Sequence, residues 1–166
     1  MNTITVDETL SDIEKLFDTM NEEMTELKKT YSEKGKNIFK LAFKEFFENN
    51  AEVSVFGWRQ YTPYFNDGDA CTFRTDVEYA FASNATDYSS ISRGDYAGEE
   101  EGIWIDDANY GDFNEELIPK SVVKNIKNMR KLLSKVDDDL FLDMFGDHAT
   151  VYVTREGFYV EEFNHD

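Results

Sequence analysis

The sequence is poor in cysteine, proline, histidine and positive charge: one Cys, two Pro, two His, and 17 Lys and Arg against 35 acids in 166 residues. The lone Cys71 cannot form an internal disulfide, which excludes a disulfide-stapled secreted fold and fits a reducing cytoplasm. No run of about 18 apolar residues occurs, so no membrane-spanning helix is expected. Residues 1–10 are polar and acidic, without the basic and apolar regions of a secretory leader, and a cytoplasmic location is expected. The shortage of bases argues against direct nucleic-acid binding, because phosphate contact needs clustered Lys and Arg. Also missing are a glycine-rich phosphate loop, a Gly-x-Ser-x-Gly elbow and a His-Glu-x-x-His helix. No cofactor is expected, and an enzyme is not the leading expectation.

What is present is acid, unevenly spread. The formal net charge is −18. Residues 51–119 carry 15 acids and 3 bases, so two thirds of the excess lies in the middle of the chain. Asp76, Glu78, Asp87, Asp95, Glu99, Glu100, Glu101, Asp106, Asp107, Asp112, Glu115 and Glu116 are distributed over strands and loops rather than gathered in a tail. Carboxylates fixed on a folded surface can imitate a phosphate array and occupy a groove that normally holds nucleic acid. They also serve ordinary solubility. A partner with a basic surface is the natural complement.

Residues 1–50 read as a helical arm. Leu10, Ile13, Phe17, Met20, Met24, Leu27 and Tyr31 recur in steps of 3 and 4, a heptad seam. That seam either packs on the chain's own helices or joins two copies in a coiled-coil homodimer. Gly35 weakens the helix, and a bend is expected there. Ile38, Phe39, Ala42, Phe43, Phe46 and Phe47 form a broader stripe suited to docking on a sheet, and Asn49-Asn50 ends the helix.

Residues 51–166 read as an α+β domain. Alternation predicts strands at 52–60 and 71–81, a short edge strand at 102–106, and a final hairpin of 149–154 and 158–163. Residues 83–101 read as a long acidic loop. From Lys120 the pattern is helical, with Val122, Val123, Ile126, Met129, Leu132, Leu133 and Val136 inward. Lys120, Lys124, Lys127, Lys131 and Lys135 make a solvated stripe. Asp137 reads as the N-cap of a second helix closed by Gly146. The expected architecture is a long N-terminal helical arm, an antiparallel sheet of four or five strands and two later helices on one face.

The most unusual stretch joins the first two strands. Trp58, Tyr61, Tyr64 and Phe65 cluster there with Asp67 and Asp69 around one of the two prolines. The segment Asn66-Asp67-Gly68-Asp69 fails as a calcium loop, since Phe65 and Pro63 fall where ligands belong, and reads as a turn. The rings either cap the core or anchor a partner. At the other end of the chain, a hairpin turning at Glu156-Gly157 places His148 opposite Asn164 or His165. Asp147, His148, His165 and Asp166 then converge in a cluster that metal or acid–base chemistry could use, against a solvated His–Asp group at a chain end. Cys71 reads as a buried structural thiol on an inward strand face.

The W-x-Q-Y-T-P-Y-F-N-D-G-D stretch at residues 58–69, with Gly146-Asp147-His148 and the ending His165-Asp166, resembles a family of small acidic phage and bacterial proteins. Arg59 departs from that pattern, where a Thr is expected. The family carries no activity or catalytic residues to transfer. The resemblance implies context: a phage-type accessory protein in the host cytoplasm that binds and inhibits or redirects a host protein, such as a defence or nucleic-acid-binding factor. The partner-binding candidates are Trp58, Tyr61, Tyr64, Phe65, Asp67, Asp69, Glu99, Glu100, Glu101, Asp106 and Asp107. The alternatives are a small-ligand or metal-dependent enzyme at the His148/His165 end and a structural homodimer through the arm.

Overall fold

The computed structural model describes residues 10–91, 105–106 and 118–164. Helix α1 runs unbroken over Leu10–Asn49. Helical structure continues through Gly35, where a Cβ would meet the Met144 sulfur and Leu140. The glycine is therefore a point of close helix approach. Strand β1 (Val55–Tyr61) follows, then β2 (Arg74–Thr75), a 3-10 turn at Val77–Tyr79, and β3 (Phe81–Ser83). A second 3-10 turn at Tyr88–Ser90 precedes β4 (Ile105–Asp106). Helices α2 (Lys120–Leu133) and α3 (Asp138–Phe145) lead into the hairpin of β5 (Ala149–Val153) and β6 (Phe158–Glu162).

The strands form one antiparallel sheet in the order β4-β3-β1-β5-β6, with β2 also paired to β1. The expected α+β class holds. The strand expected at 71–81 does not run through. Tyr61 pairs with Arg74 and Gly57 with Phe81, and the 3-10 turn between them is looped out of the ladder. The amide of Asp76 donates to the Arg59 carbonyl (2.8 Å), and those of Tyr79 and Ala80 close the turn on Asp76 and Val77. This break inverts the alternation. Val77 goes to the core, Tyr79 to solvent and Phe81 to the outer face.

Alternation along β1 divides the interior. Phe56, Trp58 and Gln60 face the helices, and Val55 and Gly57 face the opposite side. Trp58 is the hub of the helix side, with the Phe43 ring stacked on it at 6.2 Å and Phe141 and Phe145 edge-on at 5.7 and 5.5 Å. Phe39, Phe43, Phe46 and Phe47 of α1 belong to this core. The last third of α1 is thus built into the α+β unit, and the division between arm and body falls inside the helix. Val55, Phe81 and Tyr152 form a smaller outer cluster covered by Tyr88, Ile91 and Tyr159.

Polar side chains close the helix ends. Gln60, fully buried, accepts from the Trp58 indole (3.1 Å) and donates to the carbonyls of Phe141 (3.1 Å) and Gly146 at the end of α3. The carbonyls around the end of α1 meet the Arg155 guanidinium, which donates to those of Phe47, Asn50, Ala51 and Val53 while lying over the Phe47 ring. A cation there also suits the helix dipole. Asp137 caps α3 by accepting from the Asp139 amide, as its sequence position predicts. Arg130, buried on α2, donates to the Ala80 carbonyl (2.7 Å) and ties that helix to the 3-10 turn.

Candidate functional site

The loop between β1 and β2 is fixed at both ends and bare in the middle. Asp67 and Gly68 both have positive φ (44° and 96°), and the Asp69 amide donates to the Asn66 carbonyl at 2.7 Å. The turn expected from Asn-Asp-Gly-Asp is therefore formed. Nearer the sheet, Asp147 accepts from the Thr62 amide (2.8 Å), the Thr62 hydroxyl (2.7 Å) and the His148 amide (2.7 Å). Partial desolvation raises the affinity of this carboxyl for a proton. The three donors and the nearby imidazole outweigh that effect, so Asp147 titrates below the ordinary carboxylate range.

The rings in this loop do different things. Tyr61 is half-buried on the outer sheet face, packed on Phe163 (5.4 Å), with Arg74 donating to its hydroxyl (2.6 Å). Hydrogen bonding to that phenol holds the Arg74 pKa above its ordinary value. Tyr64 stacks on the His148 imidazole at 4.9 Å and 16°, yet remains 65% exposed, and Phe65 is 76% exposed. Asp67, Asp69 and Cys71 are exposed around them. Two corrections follow. Trp58, 1% exposed, is core and cannot touch a partner. Cys71 is not a buried thiol, because the strand that would have turned it inward begins only at Arg74.

The hairpin that carries His148 is shifted by one or two residues from its expected register. Val153 pairs with Phe158 and Ala149 with Glu162, and the Phe163 amide donates to the His148 carbonyl at 2.7 Å. His148 therefore sits opposite Phe163, not Asn164 or His165. With Asp147 engaged by Thr62 and its own backbone neighbour, the Asp–His pair works as a clasp for the aromatic loop. No group of three metal-ligating side chains occurs among the described residues. No family model, curated protein or solved structure matches the chain.

The remaining acidic candidates divide between described and undescribed positions. Asp106 pairs with Ala82 at the sheet edge. Glu99, Glu100, Glu101, Asp107, His165 and Asp166 lie outside the described residues. None of the described helices is long and apolar enough to cross a membrane.

A second surface lies on α1. Phe17, Met20, Met24, Leu27 and Tyr31 of the heptad seam are half or more exposed, so these positions do not pack on the described helices. It is also longer than its first seven positions. The same steps beyond Tyr31 reach Lys34, Ile38 and Leu41, and Ile38 and Leu41 are 64% and 69% exposed. Ile38, expected on the docking stripe with Phe39, belongs instead to this outward line. Continuing the 3–4 spacing past Gly35 would have found it. From residue 32 onward α1 has two apolar faces, one in the core and one nearly opposite in solvent.

Proposed function

We propose that this chain is a non-enzymatic, acidic interaction protein that binds and inhibits or redirects a host protein with a basic surface. The observation that carries this reading is the loop at residues 62–73, which is held by Asp147 and its own turn while Tyr64 and Phe65 stand exposed. Large rings presented on a fixed backbone lose little freedom on docking, and aromatic anchors beside carboxylates recognise an apolar pocket with a basic rim. The net charge of −18 supports the same partner chemistry and steers its encounter. The resemblance to small acidic phage proteins supplies the setting, an accessory protein acting in the host cytoplasm. Nucleic-acid mimicry by fixed carboxylates is one route by which it would block a defence or nucleic-acid-binding factor.

Capture from bacterial lysate on the immobilised chain tests this reading at low and high salt. Basic proteins should be retained at low salt and released as the Debye length falls from ~10 Å at 0.1 M to ~3 Å at 1 M. Capture indifferent to salt would remove the electrostatic part of the proposal. A second reading is favoured by the outward seam on α1: the arm joins two copies of the chain into a homodimer. Sedimentation of the full chain tests it, and a monomer at tens of micromolar sinks it.

A further inference from the structure

We infer that the arm pairs with a second copy of itself in antiparallel fashion, the two-fold axis crossing near Thr25 and Glu26. The inference rests on the homodimer reading above and specifies the geometry of that surface. Eight large apolar side chains of α1 are half or more exposed, and all but Leu16 fall on the extended seam. At roughly 100 Å² exposed on each, the seven on the seam offer on the order of 700 Å² per chain, close to what one partner contributes to a stable interface. The exposed line continues along the outside of α1 where the helix is docked on the body. A second helix can therefore lie along the whole seam without displacing Phe39 or Phe43 from the core.

Charge decides the orientation. Lys34 is the one ionic residue at a seam position between Ile13 and Leu41. A parallel pair would set it against Lys34 of the second copy, two like charges in an apolar seam. Parallel pairing would also bring two strongly acidic bodies side by side. In the antiparallel pair Lys34 lies over Phe17 of the second copy, a cation on a ring face, much as it already lies 5.6 Å from the centre of its own Tyr31. The same register sets Met20 against Tyr31, an adaptable side chain against a large ring, and Ile13 against Ile38. Along the flanks it places Asn21 by Lys28 and Glu23 by Thr30, with no like-charged pair. The bodies end up at opposite ends of the paired helices, separated by several Debye lengths.

The test is a spin-label distance on the full chain, with Asp12→Cys labelled in a Cys71→Ser background, alongside sedimentation. The antiparallel dimer places the two labels about 40 Å apart, from the rise of the helix between residue 12 and the position it opposes. A parallel dimer places them within about 20 Å, two helix diameters, and would overturn the orientation while leaving the homodimer reading intact. A monomer without dipolar coupling overturns both. Ile38→Glu, at an exposed site, should leave the far-ultraviolet spectrum unchanged and convert the dimer to monomer. A dimer that persists in this variant would exclude the extended seam.

Discussion

Replacing Gln60 with Met tests the polar junction that joins the sheet to α3. The substitution keeps side-chain volume close to native, so it removes hydrogen bonds without opening a large cavity. The Trp58 indole N–H, 1% exposed as a residue, would be left without an acceptor, and an unpaired buried donor costs about 1–3 kcal/mol. The carbonyls of Phe141 and Gly146 lose a donor, at about 0.5–1.5 kcal/mol each. The expected loss is about 3 kcal/mol, or a fall of the urea midpoint by roughly 1–2 M for a slope near 2 kcal/mol/M. The assay is urea unfolding followed by far-ultraviolet circular dichroism at one fixed protein concentration, since self-association would contribute to stability. In a Trp58→Phe background the indole donor is already gone, and Gln60→Met should cost at least 1 kcal/mol less than in the native sequence. Equal costs in the two backgrounds, or a midpoint that Gln60→Met leaves unchanged, would refute the assignment.

Three further outcomes are expected. Arg155→Ala should cost about 2–4 kcal/mol, because one guanidinium serves four carbonyls around the end of α1; Arg155→Lys should recover little, since an ammonium lacks the planar fork, and thermal unfolding of both variants checks this. Asp147 titrates below its unfolded value, so its contribution to stability is present above about pH 4 and lost as pH falls through the lower folded pKa; the stability difference between pH 5 and pH 2.5 should shrink in Asp147→Asn and stay unchanged if the Thr62 clasp is absent. Burial pushes the Tyr152 phenol up to about 12, so one tyrosine should resist ionisation in an ultraviolet titration beyond pH 11, and stability should decline as pH rises above about 10, where the unfolded phenol ionises.

The helices were legible in the sequence because their information is local. The 3–4 spacing of the α1 seam, the inward Val122, Val123, Ile126, Met129 and Leu133, the Asp137 cap and the Gly146 stop each depend on residues within a turn or two of one another, although Leu132, expected inward with them, is 49% exposed. The sheet was less legible where it depends on distant partners. The break at Val77–Tyr79 leaves only short pairings on either side of it. It is held from afar by Arg130 on the Ala80 carbonyl and by Asp138 accepting from Thr75 at 2.6 Å. The final hairpin turns at Arg155-Glu156 rather than at Glu156-Gly157, the Thr154 amide donating to the Gly157 carbonyl (2.9 Å) while the Arg155 side chain reaches back to the carbonyls at the end of α1. Trp58 was misplaced among the binding candidates because composition marks a ring as unusual without saying which face of a strand it takes. Tyr64 and Phe65, two and three residues past the clasped Thr62, lie beyond the last strand position of β1 and are exposed.

Tyr64 and Phe65 are the proposed anchors of a protein partner, so the most direct measurement compares proteins captured by the native chain with those captured by Tyr64→Ala/Phe65→Ala. Both rings are exposed, and the double variant should retain the native midpoint of unfolding within about 0.5 kcal/mol. A basic protein should be captured by the native chain and lost with the folded double variant. The same protein captured equally by both would contradict the anchor role of these rings.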